Sequence, residues 1–269
     1  MDEYKVTIVM GIYNCEETLE EALQSILMQT YKNWKLIMCD DASTDNTFYI
    51  ANKYAQAYEN IELLSNDRNM GLNYTLNKCL RKVDTKYYAR MDGDDISLPT
   101  RIEKEVLFLD ENQEYDIVST NMAYFDENGD WGKGTVKERP EKKDFVYGTP
   151  FCHAPCMIRT SAIKSVGGYT VNHRLLRVED YHLWYKLYLK GYKGYNLNEV
   201  LYKMRDDRKA VNRRKFKYRI NEAYVKYLIV KDFKLSKKMW IHVGKPIIVG
   251  IIPKLIYKYF HKRRLIKYD

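Results

Sequence analysis

Apolar positions along the chain switch between two periods. Residues 4–10 (YKVTIVM) are β-branched and apolar and predict a strand, whereas Leu19, Ala22, Leu23, Ile26 and Leu27 recur at helical spacing within 16–30. The exchange repeats, with strands expected at 35–39 (KLIMC), 61–64 (IELL) and 86–91 (KYYARM), and helices near 45–58, 71–83 and 99–111. Pro99 suits the first turn of the last of these, because its fixed φ is helical and its missing N–H would be unpaired there anyway. Strands alternating with helices predict an α/β fold: a mostly parallel, Rossmann-like central sheet flanked by helices.

Beyond residue 115 the pattern loosens. A strand is expected at 115–120 and another near 155–159, with a mobile loop over the polar, glycine-containing stretch 126–144. A helix follows at 179–190, with Leu183, Trp184, Leu187 and Tyr188 inward, and then a strand at 199–204. The body is expected to end near Arg205. Residues 206–269 predict a helical tail in which Phe216, Ile220, Ala223, Tyr224, Tyr227 and Leu228 share one face. A second helix gathers Ile247, Ile248, Ile251, Ile252, Leu255, Ile256 and Tyr259 opposite Lys254, Lys258 and Lys262. Apolar on one side and cationic on the other is the pattern of a helix lying in a bilayer interface.

Charge sharpens that division. Residues 205–269 carry 20 Lys and Arg against 5 Asp and Glu, while the first 204 carry 25 against 31. A basic tail on an acidic body predicts an anionic partner, phospholipid or nucleic acid. Five cysteines at irregular spacings, one of them inside the apolar run at Cys39, suit reduced thiols in the cytoplasm better than a disulfide framework. Cys152, His153 and Cys156 have no second ligand pair at zinc spacing. The chain opens without a signal-peptide pattern. Lys245, Pro253 and Lys254 interrupt the best candidate for a membrane span.

The chemistry concentrates where strands end. Tyr13 and Asn14 follow the first strand, Asp40 and Asp41 the second, and Asp92, Gly93, Asp94 and Asp95 the fourth. In a parallel α/β sheet, ligands bind outside these carboxyl ends. Crowded carboxylates raise one another's pKa unless a cation compensates them. Mn²⁺ or Mg²⁺ held by one or two of them, with substrate phosphates completing the shell, is the economical expectation.

The blocks "VTIVMGIYNCEETLEEALQSILMQTYKNWKLIMCDDASTDNT", "NMGLNYTLNKCL", "YARMDGDDISLPTRIEKEVLFL", "HAPCMIRTSAIKSVGGY" and "RVEDYHLWYKLYLKGYK" together resemble the family 2 glycosyltransferases of the A-type nucleotide-diphospho-sugar fold, in order from about residue 4 to 205. The resemblance implies inverting transfer from a nucleotide-sugar, usually a UDP-sugar, aided by a divalent metal. It places Ile12, Tyr13 and Asn14 at the nucleotide, with Tyr13 stacked on the base, and gives Asp41 the hydrogen bond from the base imide. Arg68 would reach phosphate, Asp92 and Gly93 would contact the donor, and Asp94 would ligate the metal with Asp92. Asp95 is a ligand or a loop acceptor ahead of Pro99. Asp180 would be the general base, with Glu179 and His153 on the acceptor side. On this reading 1–98 bind the nucleotide-sugar, 99–205 bind the acceptor, and 206–269 form the membrane-seeking tail.

Gly11 stands where the family often has Pro, Ala42 where it often has Gly, and Tyr74-Thr75 are bulkier than usual. The Gln-x-x-Arg-Trp motif of processive members is missing, which points to single addition. The expected activity is transfer of one sugar to a lipid-linked saccharide, in cell-surface polysaccharide or glycolipid synthesis, at the inner face of the membrane. A haloacid-dehalogenase-like phosphatase also uses Asp-x-Asp, but after its first strand rather than its fourth. Nucleic-acid binding would explain the tail and leave the acidic clusters without a role. Dinucleotide-binding and Walker-type glycine patterns are absent.

Overall fold

The first strand, β1 (Val6–Ile12), is buried almost throughout, and its alternate side chains enter two different cores. It is followed by α1 (Leu19–Leu27), β2 (Trp34–Asp40), α2 (Thr47–Ala57), β3 (Ile61–Ser65), α3 (Leu72–Lys82) and β4 (Tyr87–Asp92). The computed structural model describes residues 4–205 and 215–251. Next come β5 (Ile96–Ser97), α4 (Arg101–Glu111), β6 (Ile117–Asp126), β7 (Gly129–Gly134), β8 (Met157–Arg159), α5 (Thr160–Ser165), α6 (Glu179–Leu189) and β9 (Gly194–Arg205). Two helices, α7 (Phe216–Asp232) and α8 (Ile241–Ile251), complete the described chain.

The sheet runs β3-β2-β1-β4-β8-β6-β9-β5, with β7 paired to β6. As expected it is α/β with a largely parallel centre: β1 lies parallel to β2 and β4, β2 to β3, and β6 to β9. β8 runs antiparallel between β4 and β6, and β5 antiparallel to β9. Strand order reverses at β1, where Gly11 faces Cys39 on one side and Asp92 on the other. A crevice opens at such a reversal because the flanking connections leave in opposite directions.

Ile8, Met10, Leu36 and Met38 meet α1, α2 and α4 on one face of the sheet. Val9, Ile37 and Tyr88 meet α3, α5, α6 and α7 on the other. Period-2 alternation in strands covered on both sides gives this division.

Three expectations are corrected. The stretch 126–144 is not a loop throughout, because β6 and β7 form a hairpin turning at Gly129, whose φ is +105°. Few of its side chains can pack, and the Tyr124–Trp131 stack at 5.2 Å supplies the apolar contact that hydropathy missed. β9 begins at Gly194 rather than 199, and within it the amide nitrogen of buried Asn196 donates to the carbonyls of Lys137 and Pro150 at 2.7 and 3.0 Å. Thirdly, the boundary at 205 separates residues that share a core. Val225, Ile229 and Val230 of α7 are buried with Trp184 and Leu187, whereas Phe216, Ile220, Tyr224 and Tyr227 are exposed.

The inward face of α7 escaped a hydropathy count because it includes Asn221 and Lys226. Asn221 donates to the Leu176 carbonyl at 3.0 Å, and Lys226 pairs with Glu222 at 3.2 Å. On α8, Ile241, Ile248 and Ile251 are exposed. Ile252, Leu255, Ile256 and Tyr259, with Lys254, Lys258 and Lys262, lie outside the described residues. Among the described residues no helix is long and apolar enough to cross a membrane.

Beneath β4, Arg101 and Glu105 are fully buried. Arg101 donates to the Arg90 carbonyl at 3.0 Å and lies 5.3 Å from the ring centroid of Tyr202. Its Nε is 3.9 Å from Glu105, too far for a hydrogen bond, and both Glu105 oxygens lack hydrogen-bond partners among the described residues. Burial, opposed only in part by the Arg101 charge, pushes the Glu105 pKa up to about 8. The folded state therefore holds this proton between roughly pH 4.5 and 8 while the unfolded chain releases it, so stability falls as pH rises across that window.

Two outcomes follow for stability. In thermal melts, Glu105→Gln should remove part of the loss in Tm between pH 5.5 and 8, an effect on the order of a few kcal/mol. A chain ending at Arg205 should fail to melt cooperatively, because deleting α7 uncovers Trp184 and Leu187; a sharp transition near that of the full chain would contradict the shared core.

Candidate active site

The crevice at the β1/β4 reversal is a cleft of about 430 Å³ bordered by Tyr13, Asn14, Asp45, Asp92, Asp94 and Arg205. Tyr13 is about half exposed and offers its ring to the opening. Its neighbour Ile12 is buried and holds the Asp41 N–H through its carbonyl at 2.9 Å. Asn14, at φ +47°, accepts from Thr44 N–H at 2.8 Å, which locks the first loop to the second. Ala42 sits at φ +59°, a conformation that suits glycine, so the alanine there costs roughly 1 kcal/mol.

The acidic loop is held from behind. Arg90 and Asp92 are two apart in β4 and project from the same face, and they form a bidentate pair at 2.8 and 2.5 Å with Arg90 buried. Gly93 is closely surrounded: a Cβ there would lie 3.1 Å from both Cys15 Sγ and Ile12 Cγ2, which would have to give way. Asp94 is exposed in the cleft, and Asp95 is buried, accepting from Arg205 N–H at 2.8 Å. The last contact supplies the loop hydrogen bond expected of Asp95, made to β9 through one of its two oxygens.

Among the described residues, Asp92, Asp94 and Asp95 offer carboxylate oxygens within 4.8 Å of one another. Desolvation, then the Asp92 charge, raises the pKa of both Asp94 and Asp95. Hard oxygen donors of this kind fit Mn²⁺ or Mg²⁺. Arg205 closes the arrangement, donating to the Asp94 carbonyl at 2.9 Å, pairing with Glu21 and lying 4.4 Å from the ring centroid of Phe125.

A second cleft, about 720 Å³, lies between the start of α6 and α7, and Asp94 borders it too, with Asp180, Arg177, Tyr181, Lys215 and Arg219. Burial, then the Glu179 charge, pushes the Asp180 pKa up to about 6. Glu179 turns instead toward a third cavity of about 730 Å³ that shares Arg177 and Tyr218 with the second. Adjacent acids thus serve different spaces.

Three expected residues sit otherwise than anticipated. Asp41 is buried and accepts from Asn66 and from the Met70 and Gly71 N–H groups, all at 2.8 Å, so its first duty is to fix the loop before α3. Arg68 is exposed on that loop, its Nε 3.5 Å from Met70 Sδ. His153 turns away from the second cleft: its Nε2 lies 2.8 Å from Tyr169 Oη, which is 3.2 Å from Tyr88 Oη. Burial, then the Arg90 charge, holds its pKa well below the usual range, which favours a neutral ring in this link to Tyr169. Arg90, Arg177, Lys215 and Arg219 were missed. Arg90 left a signal, a cation inside an apolar strand two positions before an aspartate; the other three left none.

Comparison with known proteins places this geometry. Residues 7–167 match the model of Glycosyl transferase family 2. EpsE of Bacillus subtilis strain 168 is 45% identical over 97% of this chain and 94% of its own length. Two Escherichia coli proteins are each 30% identical. One is the UDP-Glc:alpha-D-GlcNAc-diphosphoundecaprenol beta-1,3-glucosyltransferase WfaP, over 82% of this chain and 84% of that one. The other is a UDP-Gal:alpha-D-GlcNAc-diphosphoundecaprenol beta-1,3-galactosyltransferase, over 97% of each. In fold, the chain is similar to Staphylococcus aureus TarS 1–349 in complex with UDP, with a TM-score of 0.68 at 18% identity over 92% of this chain and 70% of that one. It is also similar to a Pyrobaculum calidifontis mannosyltransferase in complex with GDP-Man and Mn²⁺, with a TM-score of 0.61 at 17% identity over 96% and 79%. With the family model covering more than half of its length and relatives aligned from end to end, the chain belongs to glycosyl transferase family 2.

Proposed function

We propose that this enzyme transfers a single sugar, with inversion, from a UDP-sugar to a saccharide carried on a lipid diphosphate. The observation that carries the reading is the position of Asp94 on the wall shared by the two clefts, so that the acidic loop faces one space and the elevated carboxyl of Asp180 the next. The names of the two Escherichia coli relatives support the choice of UDP donors and diphosphate-linked acceptors.

The nucleotide would lie in the first cleft with its base against Tyr13. Asp94, with Asp92 and with Asp95 behind them, would hold Mn²⁺ or Mg²⁺; such an ion, when bound, neutralises charge building on the departing diphosphate. Asp180 takes the acceptor hydroxyl proton as that oxygen bonds to the anomeric carbon and the bond from carbon to the UDP oxygen breaks. A pKa of about 6 leaves it ionised at neutral pH yet basic enough to assist. The phosphatase alternative would need Asp92 as a free nucleophile, and Arg90 occupies it.

Trp240, Ile241 and Ile248 are exposed on one end of the molecule beside exposed Lys237, Lys238 and Lys245. Apolar side chains ringed by lysines suit the anionic inner face of a membrane, where a lipid-linked acceptor would be met.

Calorimetric titration of UDP should show binding that requires Mn²⁺, weakened about 100-fold or more by Asp94→Ala; metal-independent binding would overturn the assignment of the loop. Asp180→Asn should lower kcat by roughly 10² to 10⁴ while leaving the UDP affinity in place. In the wild type, kcat should fall about tenfold per unit below pH 6, since the base must be deprotonated. A flat profile from pH 5 to 8 would remove Asp180 from that role.

A further inference from the structure

Arg177 combines three properties that packing does not explain. Its φ is +66°, a left-handed conformation that a Cβ makes costly and that glycine adopts freely. Its guanidinium has no hydrogen bond or ion pair among the described residues, and it borders both the cleft of Asp180 and the neighbouring cavity. The strain is maintained by what surrounds it, since Asn221 of α7 holds the Leu176 carbonyl at 3.0 Å on one side and Val178 is buried on the other. Strain kept in place at a cleft edge, on a side chain with nothing to bind, points to a ligand.

Lys215 borders the same cleft, exposed and likewise without an acidic partner among the described residues. Arg219 differs, because Glu222 engages it at 3.0 Å. The second cleft is therefore bordered by two cations that lack an acidic partner among the described residues, together with the base carboxyl. We propose that Arg177 and Lys215 are the residues that bind the diphosphate of the acceptor, holding its sugar hydroxyl toward Asp180. This rests on the transferase reading, and it makes the anionic linker a requirement for an acceptor. About 720 Å³ is room enough for a sugar and two phosphates.

The test is titration of decyl diphosphate into the full-length protein in EDTA, where the acidic loop cannot hold a diphosphate through metal, with decyl maltoside as the uncharged control. Wild type should bind the diphosphate at least tenfold more tightly than the maltoside. Arg177→Gly should keep or raise the Tm yet lose at least tenfold in affinity, and Arg177→Gln with Lys215→Gln should abolish the preference. The proposal is overturned if Arg177→Gly binds decyl diphosphate as wild type does, or if the maltoside binds equally. It is also overturned if the double variant loses only its attachment to phosphatidylglycerol vesicles, which would make these cations headgroup contacts. A parallel titration of UDP with Mn²⁺ separates the two readings: its failure removes the transferase reading and leaves the diphosphate site standing or falling on the EDTA result alone.

Discussion

Arg90 is the fixed charge about which the site is organised. A guanidinium inside a sheet cannot shed its proton and must find a carboxylate, and the strand period offers Asp92. That pairing offsets part of the charge of three crowded carboxylates before any ligand arrives. It also anchors a chain of contacts: the Arg90 carbonyl receives Arg101, Arg101 lies against Tyr202, and the Tyr202 hydroxyl receives the Asp92 N–H at 3.2 Å. Asp95 then grips the far end of β9 at Arg205. The acidic loop is thereby held at both ends by the same strand, which leaves Asp94 as its one exposed carboxyl. Such a loop needs little reorganisation on binding.

The two clefts are built from different materials. The first is lined by residues leaving parallel strands, whose positions are set by ladder register and two interlocking loops. The second is walled by α6, α7 and the segment before α6, with α7 joined to that segment through the Asn221 side chain on the Leu176 carbonyl. Fold similarity to transferases at 17–18% identity extends over more than nine-tenths of the chain, while Arg177, Lys215 and Arg219 border the second cleft.

Legibility in the sequence followed the same division. Strand–helix alternation through residue 111 and the Asp92–Asp95 cluster could be read directly, because buried strands and strand-end carboxylates leave local signals. β7 could not, since a glycine-rich edge strand has almost no pattern to show. The buried face of α7 went unread because Asn221 and Lys226 are buried through partners far off in the chain or on the polar side of the helix, which hydropathy does not weigh. His153 looked chemical in isolation, and only the positions of Tyr169 and Tyr88 reveal it as a core hydrogen-bond link. Arg177 carried no signal at all, because its meaning lies in a backbone angle.

The placement of α7 has a consequence for how the enzyme comes into being. Every strand around the nucleotide cleft precedes residue 206, whereas the wall facing Asp180 is contributed by residues 215–232. A ribosome therefore delivers the strands around the first cleft before the helix that walls the second. For that interval the nascent chain lacks the surface on which a second substrate could settle, and the order of synthesis itself postpones chemistry until residues 215–232 have emerged.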